Sequence, residues 1–282
     1  MIKLFGVKTF LEKQAKPMNR FIAAMDHSGG STGGVLERYG QEYTEDDKMD
    51  KIHAMRMRMV NSPMFNSDNI WAAILYKDTV DRGMVPILKQ KGIQAYLKID
   101  NGVEENGYLK YFRWDDMVDY AQEHACTGTK MRSILKDVKD IDMILSQQFA
   151  IAETVYKGGL MPIVEPEIPI DHPMKSVYEC KLRDELAERL DAFQGKCILK
   201  LTLPDMDNFY SDIMKHDKVM QIVGLSGGYT TKEACRRLAC QSGMSASFSR
   251  GLSEGLKYGQ TESQFNDKLK ENILMIKEAI EK

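Results

Sequence analysis

Residues 197–204 read CILKLTLP, and their reading decides the rest of the chain. Ile198, Leu199, Leu201 and Leu203 surround one charged residue, Lys200, in a short apolar run that stops at a proline, the pattern of a strand buried on both faces. Working outward, similar runs recur at residues 21–25, 70–76, 94–99, 160–164, 219–225 and 244–248, with a weaker one at 124–130; with 197–203 they make eight. Between them lie stretches with helical spacing at residues 46–60, 114–123, 141–157, 174–193, 209–215 and 231–240, and a last one at 262–280. Buried strands alternating with helices pair in parallel through right-handed crossovers, and eight such units close into an α/β fold, the (β/α)8 TIM barrel of about 250 residues. The alternative is an open doubly wound sheet. Against it, the first strand is followed by SGGSTGG (residues 28–34), which lacks the GxGxxG spacing of a dinucleotide turn. No linker or low-complexity segment divides the chain, so one barrel domain over residues 1–282 is the expectation.

Composition narrows the function classes. Apolar residues make up 43% and charged residues 28%, with 21 Gly and 8 Pro, which is a chain able to bury a sizeable core and unlike a disordered, collagenous or coiled-coil one. A net charge of −2 provides no general positive field for phosphate backbones or acidic lipid, so neither nucleic acid nor membrane is an expected partner. Five cysteines without a CxxC pair, and an opening stretch MIKLFGVKTFLEKQ without a secretory apolar core, fit a reducing cytoplasm. Helix surfaces such as residues 174–193 suit solvent or a subunit interface equally, so a homo-oligomer stays open.

Strand ends carry the chemistry. Asp26 follows FIAAM, Lys98 and Asp100 lie in YLKID, Lys130 and Arg132 in GTKMR, Glu165 and Glu167 in PIVEPE, Lys200 in CILKLTLP, Ser226 in GLSGG and Arg250 in ASFSR. In a barrel these ends converge on one face, where a ring of costly buried charges is hard to explain as packing. Lys200 is the sharpest of them. Burial, with Lys130 as a second nearby cation, would lower its pKa and leave an amine able to attack a carbonyl; a snorkelling lysine paired with Glu165 or Glu167 explains the position too. Ser226-Gly227-Gly228 passes from strand to helix, so backbone N–H groups at the helix N-terminus can cradle a phosphate, with Arg250 adding a fork. The earlier Ser28–Gly34 segment reads either as the opposite wall or as a flexible loop. The five histidines are scattered, with no metal-ligand spacing, and no P-loop or GxSxG elbow is present, so no metal and no cofactor are expected.

Seven segments in order, FIAAMDHSGGS, LKIDNG, GTKMRS, PIVEPE, ILKLTLP, LSGGYT and SFSRGL, closely resemble class I fructose-1,6-bisphosphate aldolase, especially its shorter bacterial form, over nearly the whole chain. The resemblance implies a metal-independent lyase acting on sugar phosphates, in which Lys200 forms a Schiff base with the ketone carbon. It further implies that Glu165 shuttles protons, that Glu167 orients Lys200 or shares that duty, and that Asp26 assists deprotonation of the C4 hydroxyl. Lys130 would keep Lys200 uncharged and steady the oxyanion. Ser226, Gly227 and Arg250 would hold the phosphate of the dihydroxyacetone half, with Lys98, Arg132 and Ser31 at the other end. Two departures stand out. Animal members have Glu-Ser-Thr-Gly after the first-strand Asp, where this chain has His27-Ser28-Gly29-Gly30, and they end in a tail with a terminal tyrosine that helps protonate the enamine, where this sequence ends Ile280-Glu281-Lys282. That step then falls to Glu165 through water or to another residue. A lysine-dependent aldolase of sugar monophosphates, or a barrel that binds sugar phosphate without turnover, are the competing readings.

Overall fold

Successive side chains of a strand point to opposite faces, and that geometry turns the apolar runs of the sequence into a barrel with an inner and an outer packing face. A computed structural model describes residues 19–282; the stretch MIKLFGVKTFLEKQ, with its expected lack of a secretory core, lies outside the described residues. Strand β1 (Phe21–Met25) leads to helices α1 (Gly30–Tyr39) and α2 (Lys48–Asn61), and β2 (Ile70–Leu75) to α3 (Lys77–Asp81) and α4 (Met84–Gln90). β3 (Gln94–Lys98) leads to α5 (Trp114–Glu123), and β4 (Gly128–Ile134) to α6 (Ile141–Lys157). β5 (Met161–Glu167), β6 (Cys197–Thr202) and β7 (Val219–Leu225) alternate with α7 (Lys175–Ala192), α8 (Ser211–Lys215) and α9 (Thr231–Leu238). A two-residue β8 (Ser245–Ala246) precedes α10 (Arg250–Ser253) and α11 (Glu262–Ile280).

All neighbouring strands are parallel and follow chain order from β1 to β8. A doubly wound sheet reverses its strand order at a switch point, and this one does not. The barrel closes across a thin seam: Ala24 N–H donates to the Phe248 carbonyl at 3.4 Å, and Ser245 Oγ donates to the Arg20 carbonyl at 2.7 Å.

Several boundaries differ from the sequence expectation. The weak strand at 124–130 is displaced to Gly128–Ile134, because the inward charges of Lys130 and Arg132 continue the strand instead of ending it. Residues 30–34 of the glycine-rich segment form the first turn of α1, so most of it is helix and not a flexible loop. The short helices α3, α4 and α10 have too few turns to show a period in the sequence.

Packing divides by face. Ile22, Ala24, Ala72, Ile74, Tyr96, Met161, Ile163, Ile198 and Val223 fill the barrel interior as one apolar cluster, while the alternate strand residues join the helices in a larger outer core. The interior is therefore a solid floor. At its centre Gly128 admits no side chain: a Cβ there would sit 2.1 Å from the Met161 carbonyl and 2.4 Å from the Tyr96 ring. Gly128→Ala is expected to cost about 1–3 kcal/mol by overpacking, read as a fall of several degrees in Tm; an unchanged Tm contradicts this packing.

Among the described residues, no helix is long and apolar enough to cross a membrane.

Candidate active site

One layer above the apolar floor, the same inward register turns from hydrocarbon to charge. Asp26 stands two residues beyond Ala24, Lys98 beyond Tyr96, Lys130 beyond Gly128, Glu165 beyond Ile163 and Lys200 beyond Ile198. All five line a cavity of 540 Å³ at the C-terminal ends of the strands. The local chain helps to open it. Pro166 lacks an N–H, and the β5–β6 pairing stops at Val164–Leu199, one residue before Glu165 and Lys200, whose side chains meet over the cavity floor.

The central contact is a chain of alternating charge. Lys130 Nζ donates a 2.8 Å hydrogen bond to Asp26 Oδ2 and lies 2.8 Å from Glu165 Oε2; Lys200 Nζ lies 3.2 Å from Glu165 Oε1. The Lys130, Glu165 and Lys200 side chains are only 4–5% exposed. Burial opposes the charge on Lys130, but Asp26 and then Glu165 override it and raise its pKa above the usual lysine range. Burial likewise opposes charge on Asp26, and Lys130 overrides it and holds the carboxyl well below its usual range. This corrects the expected electrostatics. Lys130 does not face Lys200 as a bare cation; it is enclosed by two carboxylates, one of which stands between the two amines. Glu167 is pushed up from its ordinary value by burial, with Glu165 adding to the effect, while Arg132, 3.0 Å away, opposes it.

Two further groups of polar side chains line the cavity, drawn from different strands. In one, Lys98 Nζ donates to Ser28 Oγ at 2.8 Å and lies 3.4 Å from Asp100 Oδ1; Ser31 Oγ closes the same turn by donating to the Ser28 carbonyl at 2.9 Å. Arg132 lines this region too. In the other are Ser226, Gly227 and Arg250. Gly227 has φ +55, and a Cβ on it would meet Ile170 at 2.6 Å, so the backbone approach there requires glycine. Arg250 has no hydrogen bond or ion pair among the described residues, leaving its guanidinium available.

Every candidate site residue except Gly228 lines the cavity. Gly228 stands behind the guanidinium, where a Cβ would lie 3.4 Å from Arg250 Nη2. The helix N-terminus expected to cradle phosphate is already occupied: Thr231 N–H donates to Glu254 Oε2 at 2.8 Å, and Thr230 Oγ1 accepts from Glu233 N–H at 3.2 Å. Of this glycine-rich turn, Ser226 and Gly227 face the cavity with Arg250, while the first turn of α9 is capped within the protein. Tyr76, Asn101, Ser247 and Ser249 also line the cavity and were not anticipated. Ser247 and Ser249 had a signal, since they alternate with outward Phe248 in ASFSR. Among the described residues, no group of three His, Cys, Asp or Glu side chains is arranged to hold a metal ion.

His27 fastens the seam beside this site. Ser249 Oγ lies 3.1 Å from its Nε2, and Arg56 holds its carbonyl at 2.6 Å. Burial lowers the imidazole from 6.5 to about 4, with Arg56 and Arg38 adding to the shift and Asp26 opposing it. The unfolded chain therefore binds a proton that the folded chain refuses, and stability falls as pH drops from 6.5 toward about 4. His27→Gln is expected to lose less Tm than the parent between about pH 6.5 and 4.5. Burial also shifts His53 downward, which leaves a residual slope in the variant. Parallel Tm profiles would contradict the assignment.

The chain matches no family model. It is 41% identical over 278 residues to a class 1 fructose-bisphosphate aldolase of Clostridium acetobutylicum, covering 92% of this chain and 94% of that one. It is 40% identical to the protein of the same name from a Synechocystis species (95% of each chain) and 36% identical to that of Porphyromonas gingivalis (93% and 95%). Among solved structures, a fructose-bisphosphate aldolase from Plasmodium falciparum superposes with a TM-score of 0.72 at 18% identity, over 99% of this chain and 94% of that one. An archaeal fructose 1,6-bisphosphate aldolase superposes with a TM-score of 0.60 at 10% identity, over 96% and 99%. The structural likenesses establish the barrel, and the three bacterial sequence relatives establish descent: this chain belongs to the class 1 fructose-bisphosphate aldolase family.

Proposed function

We propose that the protein cleaves fructose 1,6-bisphosphate reversibly into dihydroxyacetone phosphate and glyceraldehyde 3-phosphate through a Schiff base on Lys200. The observation that carries this reading is Glu165 placed between Lys200 and Lys130 in a cavity that Lys98, Arg132 and Arg250 also line. Ser226, Gly227 and Arg250 take the phosphate of the ketone half, and Lys98, Arg132 and Ser31 face the other phosphate.

The Lys200 amine, having passed its proton to Glu165 Oε1, adds to the C2 carbonyl. Glu165 then protonates the carbinolamine hydroxyl, which leaves as water and gives the iminium ion. Asp26, kept ionised by Lys130, accepts the proton of the C4 hydroxyl as the C3–C4 bond breaks. The bonding pair moves into the iminium, the aldehyde leaves, and an enamine remains. Glu165, reprotonated from solvent as Asp26 returns its proton there, protonates C3 through water; water then adds to the iminium carbon, and expulsion of the amine releases dihydroxyacetone phosphate. Lys130 steadies the oxygen at which negative charge develops, and Glu167, anchored by Arg132, orients the Glu165–Lys200 pair.

The single eight-stranded sheet favours one domain, and the five free thiols favour a reducing cytoplasm, where sugar phosphates of glycolysis and gluconeogenesis are the small-molecule partners. Nucleic acid and membrane are not proposed as partners, and a homo-oligomer fits the exposed apolar side chains Met174 and Val177 on and next to α7. No metal or cofactor enters the reaction. Borohydride reduction with dihydroxyacetone phosphate is expected to place a covalent mass on Lys200 alone, seen by peptide mass spectrometry, with turnover unaffected by a chelator. Lys200→Arg should trap nothing and lose activity by on the order of 10³-fold or more. Full turnover by that variant, or an adduct elsewhere, contradicts the proposal.

A further inference from the structure

Arg56 is the one buried arginine among the described residues, 3% exposed, and none of their carboxylates stands within ion-pair distance of it. It lies on α2, where Met25, Ile52, Met55 and Met59 line with it a small cavity of 20 Å³. Burial lowers its pKa to about 10, and Asp26 gives the largest opposing effect. A guanidinium without a counter-ion in such surroundings is costly to the fold.

Its two hydrogen bonds show where it acts. Nη2 donates to the His27 carbonyl at 2.6 Å, and Nη1 donates to Thr79 Oγ1 at 2.6 Å. His27 follows Asp26 just beyond β1, so the guanidinium grips the chain directly after the carboxylate that faces Lys130. Thr79 lies in α3, and its N–H donates to the Tyr76 carbonyl at 2.9 Å where the chain leaves β2. Arg56 therefore ties the loop after β1 to the loop after β2, and these loops supply Asp26, His27, Ser28 and Tyr76 to the cavity wall. Neither bond touches β5 or β6, the strands of Glu165 and Lys200.

On the strength of the function proposed above, we infer that Arg56 is a positioning residue for cleavage of the carbon–carbon bond: by holding the His27 carbonyl it aims Asp26 at the C4 hydroxyl, and it has no part in forming the Schiff base on Lys200. Among the described residues, the one hydrogen bond that the Asp26 side chain accepts is from Lys130. A carboxylate held at one point keeps its aim only if the backbone behind it is fixed, and a misplacement of about 1 Å costs on the order of 10²-fold in rate. The fork of the guanidinium spans both loops at once. A lysine ammonium, a point charge on a flexible stem, reaches one partner without spanning the two.

The test compares Arg56→Met and Arg56→Lys with the parent by Tm, by kcat and KM for fructose 1,6-bisphosphate cleavage, and by two reactions of dihydroxyacetone phosphate alone: borohydride trapping and exchange of its C3 proton with solvent. Dihydroxyacetone phosphate has no C4, so these two reactions report on Lys200 and Glu165 without Asp26. For Arg56→Met the expected result is a cleavage kcat lowered about tenfold to a hundredfold, with KM little changed and with trapping and exchange at the parent's rates. Arg56→Lys is expected to show the same split with a smaller loss. Where Arg56→Met melts too far below the parent to assay, Arg56→Lys decides alone: the split supports the inference and its absence overturns it. A folded Arg56→Met in which cleavage, trapping and exchange fall together makes Arg56 a support of the fold and overturns the inference, as does cleavage by it at the parent's rate. A parent that traps and cleaves while its variants show no split sinks this inference alone; a parent that does neither removes the proposed function with it.

Discussion

One carboxylate shared between two buried amines is the constraint on which the rest of this molecule depends. Glu165 reaches Lys130 with one oxygen and Lys200 with the other, and Asp26 completes the row beyond Lys130. Removing any member would leave an uncompensated charge among side chains that are nearly buried, which is far more costly than removing a matched pair. The row therefore holds together as a unit. In the proposed reaction the 3.2 Å contact with Glu165 is the path by which the Lys200 proton leaves and returns.

The barrel makes this row possible by simple repetition. On five of the eight strands the inward floor position is followed two residues later by a charged side chain, so the layer that seals the barrel and the charged layer above it share one register. Rigid closure is needed only where it serves the site. The β8–β1 seam has little strand pairing and is held by Ser245 below and by the His27–Ser249 contact above, next to Arg250. Thus the side chains that finish the barrel also border the cavity wall that carries Arg250.

Much of this was legible before any coordinates. β1 and β7 coincide with their expected limits, and β6 ends one residue short, because their apolar runs are bounded by polar residues or glycine. The convergence of charges followed from strand ends alone. Spacing could not show who sits next to whom. Two lysines on different strand ends read as mutual repulsion, whereas the fold puts Glu165, on the strand between theirs, between them and Asp26 behind Lys130. Likewise a glycine turn before a helix read as an anion cradle, while Glu254, distant in sequence, already caps that helix. β4 was displaced because inward charges look like a strand end when they are in fact its continuation.

The most direct measurement of the central claim is the rate of borohydride-trapped adduct formation in Glu165→Gln, alongside the equilibrium affinity for dihydroxyacetone phosphate. The amide keeps the shape of the carboxylate but carries no negative charge and cannot take up the amine's proton. Trapping is predicted to slow by about 10²–10⁴-fold with affinity little changed. Trapping as fast as in the parent would contradict the account.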